Sequence, residues 1–191
     1  MGSMESRSSE GQKLRLVTVA QQQHESCPGT NPLLIKLSNT NSGYICVPTA
    51  PSRLDELKLP LMVPDNQELM KTAYTISVDY AHGTTTGISA HDRALTCRSL
   101  ADPTKTAKDF NRPGHILPLR YAEGGVLRRT GHTEARLAGL QPVAVIGELV
   151  NDDSEGSMAR RDDCHAFCKL FGIKLITISD LVKYRQEHDQ E

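Results

Sequence analysis

The chain has 191 residues, a formal net charge of −1, 38% hydrophobic residues and no tryptophan. That length suits one domain with a real hydrophobic core. Balanced charge and low aromatic content exclude a nucleic-acid surface built on basic residues and stacking rings, and apolar runs too short for a bilayer, with no visible secretory signal, predict a cytoplasmic protein without a membrane span.

In chain order, residues 1–32 are polar, rich in Ser and Gln and weakly patterned. They are expected to form an atypical or disordered leader, with "MGSM" as a cloning remnant and "LRLVTVA" as a lone strand candidate. Residues 33–191 form the predicted globular domain. "GYICVP" (Gly43 to Pro48) reads as a short buried strand and "LDELKLP" as a helical turn closed by Pro60. "AYTISVDY" (Ala73 to Tyr80) alternates as a strand does, with Tyr74, Ile76 and Val78 on one face. A turn over Gly83 to Gly87 leads to Ser89 as N-cap and a helix over Ala90 to Ala101. "HILPLRYA" is a strand, "HTEARLAGL" a short helix closed by Gly139, and Pro142 to Val150 a strongly buried strand. "RDDCHAFCKLFG" is a helix ended by Gly172, "IKLITIS" a strand, and "SDLVKYRQEH" a terminal helix capped at Ser179/Asp180. The irregular alternation predicts an α/β fold of α+β layered type.

The five cysteines, Cys27, Cys46, Cys97, Cys164 and Cys168, are odd in number and include no CxxC pair. They read as reduced, mostly buried thiols. Cys164 and Cys168 flank His165 at helical spacing, which alone is a weak signal for zinc.

"GTTTGISAHDR" joins small residues and hydroxyls to a helix start, where backbone N–H groups favour an anion and Arg93 adds charge. The plainer reading is an ordinary capped turn. "RPGH" and "RRTGHT" place His115 and His132 each behind a glycine, with Arg129 able to grip phosphate and Glu134 close by. "GELVNDD" sets Glu148 inside an apolar strand, where a carboxylate is costly unless paired or protonated, and where a general acid or base can be built. Alternatively, Glu148 marks the outward-facing end of that strand. The residues by themselves suggest an enzyme acting on a small phosphorylated substrate; they leave the reaction open.

The blocks "TTTGISAHDRALTCRSLAD", "RPGHILPLR", "GGVLRRTGHTEA", "LAGLQPVAVIGELVNDD" and "SMARRDD" resemble 3,4-dihydroxy-2-butanone 4-phosphate synthase in its fungal style, from about Ser42 to the C-terminus. The resemblance implies a lyase that converts D-ribulose 5-phosphate into 3,4-dihydroxy-2-butanone 4-phosphate and formate for riboflavin synthesis. It implies a single domain acting as a homodimer with interface sites, and a requirement for Mg2+, with Mn2+ as an alternative. By motif, His115 and Glu148 are the catalytic pair, His132 is a metal ligand, and Arg129, Thr130, Gly131, His132 and Thr133 surround the substrate. Asp92 and Arg93 are further substrate contacts, carried over less directly. Proton transfer beside a ketone suits His115 and Glu148, and a hard cation would stabilise enediolate oxygens.

Two departures stand out. The family's acidic N-terminal loop, of the form Asp-Asp-x-x-Arg-Glu-x-Glu-Gly-Asp, has no counterpart in Met1 to Asn41, where Glu5, Glu10 and Glu25 lack its context. The helix after "GHTEA" is also shorter than the family's. These departures keep a second reading open: an impaired paralogue or truncated isoform that still binds sugar phosphate or a protein partner.

Overall fold

In a computed structural model, which describes residues 17–18, 41–134, 143–172 and 174–188, the fold is organised on β2 (Asn41–Thr49), nine residues long. β1 (Val17–Thr18), β3 (Val78–Tyr80), β4 (Phe110–Arg120) and β5 (Val145–Leu149) complete one mixed sheet in the order β1-β5-β2-β4-β3. β2 runs parallel to β4 and antiparallel to β5; β1 and β3 pair antiparallel at the two edges.

Alternation along the strands separates two faces. Ile45, Val47, Val78, Ile116, Val143 and Val145 join Leu54 of α1 (Pro51–Glu56) and Ala94, Cys97 and Leu100 of α2 (Ala90–Ala101) in the main core. Cys46, Leu119 and Ile146 lie on the opposite face with Tyr74 and Leu117. That second face is covered less completely: Tyr44, whose ring meets Tyr74 edge-on at 6.5 Å, is 48% exposed.

The helices end where side chains take up their unpaired backbone groups. Ser89 caps α2 by accepting the Asp92 N–H at 3.0 Å, as expected. At its other end the buried Arg53 donates to the carbonyls of Leu100, Asp102 and Lys105 at 3.1, 2.6 and 3.0 Å. Helix α3 (Arg161–Phe171) terminates at Gly172 in the left-handed conformation, φ 65°, also as expected. Its Cys164 and Cys168 are buried with Leu149 in a small apolar cluster, the thiol environment read from the sequence.

Several expected boundaries move. The first helix begins at Pro51 and ends at Glu56, because Pro51 supplies a ready-made first turn and Lys58 turns to φ 54°. The strand expected over Ala73 to Tyr80 is reduced to Val78–Tyr80; Tyr74 and Thr75 form isolated bridges, and Tyr74 packs on the second face while Val78 packs in the main core. β4 starts five residues earlier than expected. "IKLITIS" is not a strand over Lys174 to Thr177: Thr177 accepts the Asp180 N–H at 3.1 Å and Asp180 accepts the Thr177 N–H at 2.8 Å, starting α4 (Ile178–His188) two residues before the expected cap. The local capping box overrides a β-branched run too short to pair. "HTEARLAGL" begins as a 3-10 turn, His132–Glu134; its remaining residues, and most of the expected leader, lie outside the described residues.

Removing the Ser89 hydroxyl leaves a helix N–H unsatisfied at the start of α2. Ser89→Ala is expected to destabilise the fold by about 1 kcal/mol, read as a lower urea midpoint with an unchanged slope; an unchanged midpoint would show that the cap contributes nothing.

Candidate active site

His115 sits in β4 and Asp79 in β3, 36 positions apart in sequence. The His115 ring Nδ1 lies 2.7 Å from Asp79 Oδ2, and the His115 backbone N–H donates to Asp79 Oδ1 at 2.9 Å. Asp79 is buried, while the His115 side chain is 41% exposed. An ionised carboxylate only accepts, so in the neutral ring Nδ1 carries the proton and Nε2 keeps its lone pair. The neighbouring carboxylate thus sets the tautomer in which the ring can accept a proton.

Glycines make this geometry sterically possible. A Cβ at Gly114 would collide with the backbone of Val78 and Asp79, so the two strands touch at the glycine of "RPGH". A Cβ at Gly87 would collide with the Asp79 carboxylate and the His115 ring, and Gly87 has φ 87°, disfavoured for other residues. Gly87 is delivered there by Asp92, whose Oδ2 accepts from Thr85 Oγ1 at 2.8 Å and from the Gly87 N–H at 3.0 Å. The Thr85 hydroxyl, with these backbone N–H groups, holds the Asp92 carboxyl below its usual range. Asp92 is 1% exposed and Arg93 is also buried, so both expected substrate contacts lie inside the protein at the start of α2. The carboxylate of Asp92 takes the place the sequence offered to an anion.

Glu148 lies in β5 on the second face, by alternation with Ile146. It is partly buried, and its charge acts on two neighbours. Burial, then the Glu148 charge, pushes the Cys46 thiol up to about 12. Tyr74 is raised by burial first, then by Cys46, Tyr44, Glu68 and Glu148. Glu148, Cys46 and Tyr74 therefore share one neighbourhood. His115 lies on the same face of β4 by alternation with Leu117, with β2 between it and Glu148.

The "RRTGH" turn lies beyond the C-terminal end of β4. Arg129 Nη1 meets Glu134 Oε2 at 2.5 Å, and its Nη2 donates to the Met70 carbonyl at 3.0 Å and to Thr72 Oγ1 at 3.4 Å. The 66–72 segment that it grips is closed on itself: Glu68 accepts the N–H groups of Met70 and Thr72 at 2.8 and 2.7 Å, which, Thr72 first, lower its carboxyl pKa. Thr133 is 2% exposed, and its hydroxyl has no hydrogen-bond partner among the described residues. Thr130 is exposed and Gly131 half-buried. The side chain of His132 lies outside the described residues. Among the described residues, no three His, Cys, Asp or Glu side chains group closely enough to hold a metal ion.

Two residues of consequence had no assigned role from sequence. Asp79 carries the same signal that singled out Glu148, a carboxylate within an apolar alternating run. Glu134 stood inside the quoted motif, but its pairing with Arg129 needs the folded turn.

Comparisons with known proteins agree on one family. The sequence profile described as 3,4-dihydroxy-2-butanone 4-phosphate synthase matches residues 30–184. The Schizosaccharomyces pombe protein of that name is 54% identical over 164 residues, covering 83% of this chain and 80% of that one. The Saccharomyces cerevisiae protein is 56% identical over 155 residues, covering 75% and 74%. A crystal structure of 3,4-dihydroxy-2-butanone 4-phosphate synthase in complex with two magnesium ions is similar at a TM-score of 0.78 and 46% identity, covering 83% of this chain and 80% of that one.

Burial also pushes the Cys97 thiol up to about 12. Cys46 and Cys97 both ionise more readily unfolded, near the ordinary value of 9, than folded. Their contribution to stability is therefore complete below pH 9 and is lost as pH climbs from 9 toward 12. Thermal melts between pH 8 and 10.5 are expected to show a midpoint that falls beyond pH 9, with a shallower fall in Cys97→Ala. Parallel curves for the two proteins would assign the alkaline loss to other groups.

Proposed function

The chain belongs to the 3,4-dihydroxy-2-butanone 4-phosphate synthase family, and on that premise we propose that it is the lyase converting D-ribulose 5-phosphate into 3,4-dihydroxy-2-butanone 4-phosphate and formate in riboflavin biosynthesis. The observation that carries the reading to this chain's own residues is the Asp79–His115 pair on the sheet face that also bears Glu148. The reaction removes a proton beside a ketone, passes through an enediol and moves protons again as formate leaves. His115, with Nε2 unprotonated, takes a proton; Asp79 keeps the ring in that tautomer and stabilises the imidazolium that forms. Glu148, beside the neutral Cys46 thiol and Tyr74, is the second acid–base group. Arg129, Thr130, Gly131 and Thr133 take the phosphate end, and Asp92 acts by shaping the Gly87 turn, with Arg93 buried beside it.

The assembly proposed is a homodimer with its sites at the interface between the two chains. The domain runs from about residue 33 to the C-terminus and works in the cytoplasm; no described helix is long and apolar enough to cross a membrane.

Magnesium, or manganese, is the cation proposed, with His132 as a ligand. The described side chains do not form a metal site by themselves. The missing acidic loop favours as a second reading a family member that binds sugar phosphate and turns over slowly or not at all. A formate-release assay with ribulose 5-phosphate and magnesium separates the two: formate supports the enzyme, and substrate binding without formate supports the second reading.

His115→Ala and Glu148→Gln are each expected to lower formate release by about 10²–10⁴-fold without unfolding the chain. Near-normal turnover in either would remove that residue from the mechanism. Sedimentation at micromolar concentration is expected to show a dimer, and a monomer alone would count against that assembly.

A further inference from the structure

Glu134 is 2% exposed, a costly position for a carboxylate unless it is paired. Its partners come from both sides. Oε2 meets Arg129 Nη1 at 2.5 Å, and Oε1 accepts the Ala122 N–H at 3.4 Å, where β4 ends. Arg129 continues the connection through Nη2 to Met70 and Thr72. One buried carboxylate thus joins the end of β4, the turn over Arg129 to Glu134 and the 66–72 segment.

The backbone is fitted around this pair. A Cβ at Gly131 would lie 2.7 Å from both Arg129 Nη1 and Glu134 Oε2, so the turn passes directly over the ion pair. The Gly131 N–H bonds to the Arg129 carbonyl at 2.8 Å, and the Glu134 N–H to the Gly131 carbonyl at 3.1 Å, closing the turn. Arg129 has five N–H donors. With Nη1 engaged by Glu134 and Nη2 by the 66–72 segment, Nε–H and at least one further hydrogen meet no partner among the described residues and can face a phosphate oxygen. The direction in which the guanidinium presents them is set by Glu134.

We propose that Glu134 is a positioning residue for substrate recognition: through Arg129 it fixes the orientation of the "RTGHT" turn and locks it to the 66–72 segment. This rests on the reading that the turn takes the phosphate end of the substrate. Glu134 itself touches no reacting atom, so it acts on affinity more than on the chemical step.

The test compares the full chain with Glu134→Gln and Glu134→Asp. Three things are measured: affinity for ribulose 5-phosphate and for inorganic phosphate by calorimetry, KM and kcat for formate release, and amide hydrogen exchange. Glu134→Gln keeps the shape and removes the charge. It is expected to weaken both ligands and raise KM about 10-fold, with kcat changed far less, and to speed exchange in 66–72 and 128–133 together. Glu134→Asp keeps the charge at shorter reach and is expected to fall between; it decides by the same criteria if Glu134→Gln does not fold. Wild-type affinity in the variants, or a loss of kcat at unchanged KM, overturns the proposal. Should the wild-type chain bind neither ligand, the functional reading fails on its own account. Exchange then decides this one: faster exchange in both segments supports the hold of Glu134 on the turn, and unchanged exchange overturns it.

Discussion

Both oxygens of Asp79 are taken by one residue, His115, through its backbone N–H and its ring. A carboxylate held this way cannot move without moving the strand. The pairing of β3 with β4 shifts register between Val78 and Asp79, which lets the side chain reach across to His115. Such an irregularity is tolerated only where something compensates. Here Gly114 lets the strands touch, and Gly87, held by Asp92, closes over the pair. The helix cap at Ser89, the threonine turn, the two glycines and the catalytic geometry are therefore one connected arrangement. A change in any of them is transmitted to the ring of His115.

The sheet has two uses, divided by face. The face packed under α1 and α2 is aliphatic and supplies the core. The other carries Cys46, Tyr44, Tyr74, His115 and Glu148 among a few apolar neighbours. Polar and titratable groups gather on the face that the chain's own helices leave less covered. Their electrostatics are set by partial burial: the Cys46 thiol is held neutral beside Glu148. A thiol held neutral does not compete with a neighbouring carboxylate for protons near neutral pH.

Much of this was legible in sequence where the signal was local. The Ser89 cap, the span of α2 and the Gly172 stop follow from residues within a turn of each other, and all three hold. The alternation of "AYTISVDY" is real, yet Tyr74 and Val78 pack on different faces because the segment pairs as isolated bridges before it becomes a strand. "IKLITIS" shows the reverse error. β-branched composition suggested a strand, but Thr177 and Asp180 cap a helix there, and no described strand lies alongside to pair with it. The site was legible as a set of residue types and not as a set of partners. His115 and Glu148 stand out by type. Asp79 shares the signal of Glu148, a carboxylate in an apolar run, but its role depends on a partner 36 positions away.

The buried carboxylates also show why residue type alone assigns role poorly. Asp79, Asp92, Glu134 and Glu148 are all acids in or near the site, and they differ in what they face. Asp92 accepts from a hydroxyl and backbone N–H groups, and orders a turn. Glu134 is matched by a guanidinium in a nearly closed environment and orients that partner. Asp79 faces an imidazole, a group whose own charge changes during proton transfer, so its interaction strengthens as the proton arrives. Glu148 is partly buried, and its charge raises the neighbouring Cys46 thiol and Tyr74 phenol. On the proposed reading, acid–base chemistry falls to His115 with Asp79 and to Glu148, while Asp92 and Glu134 shape the place where it occurs.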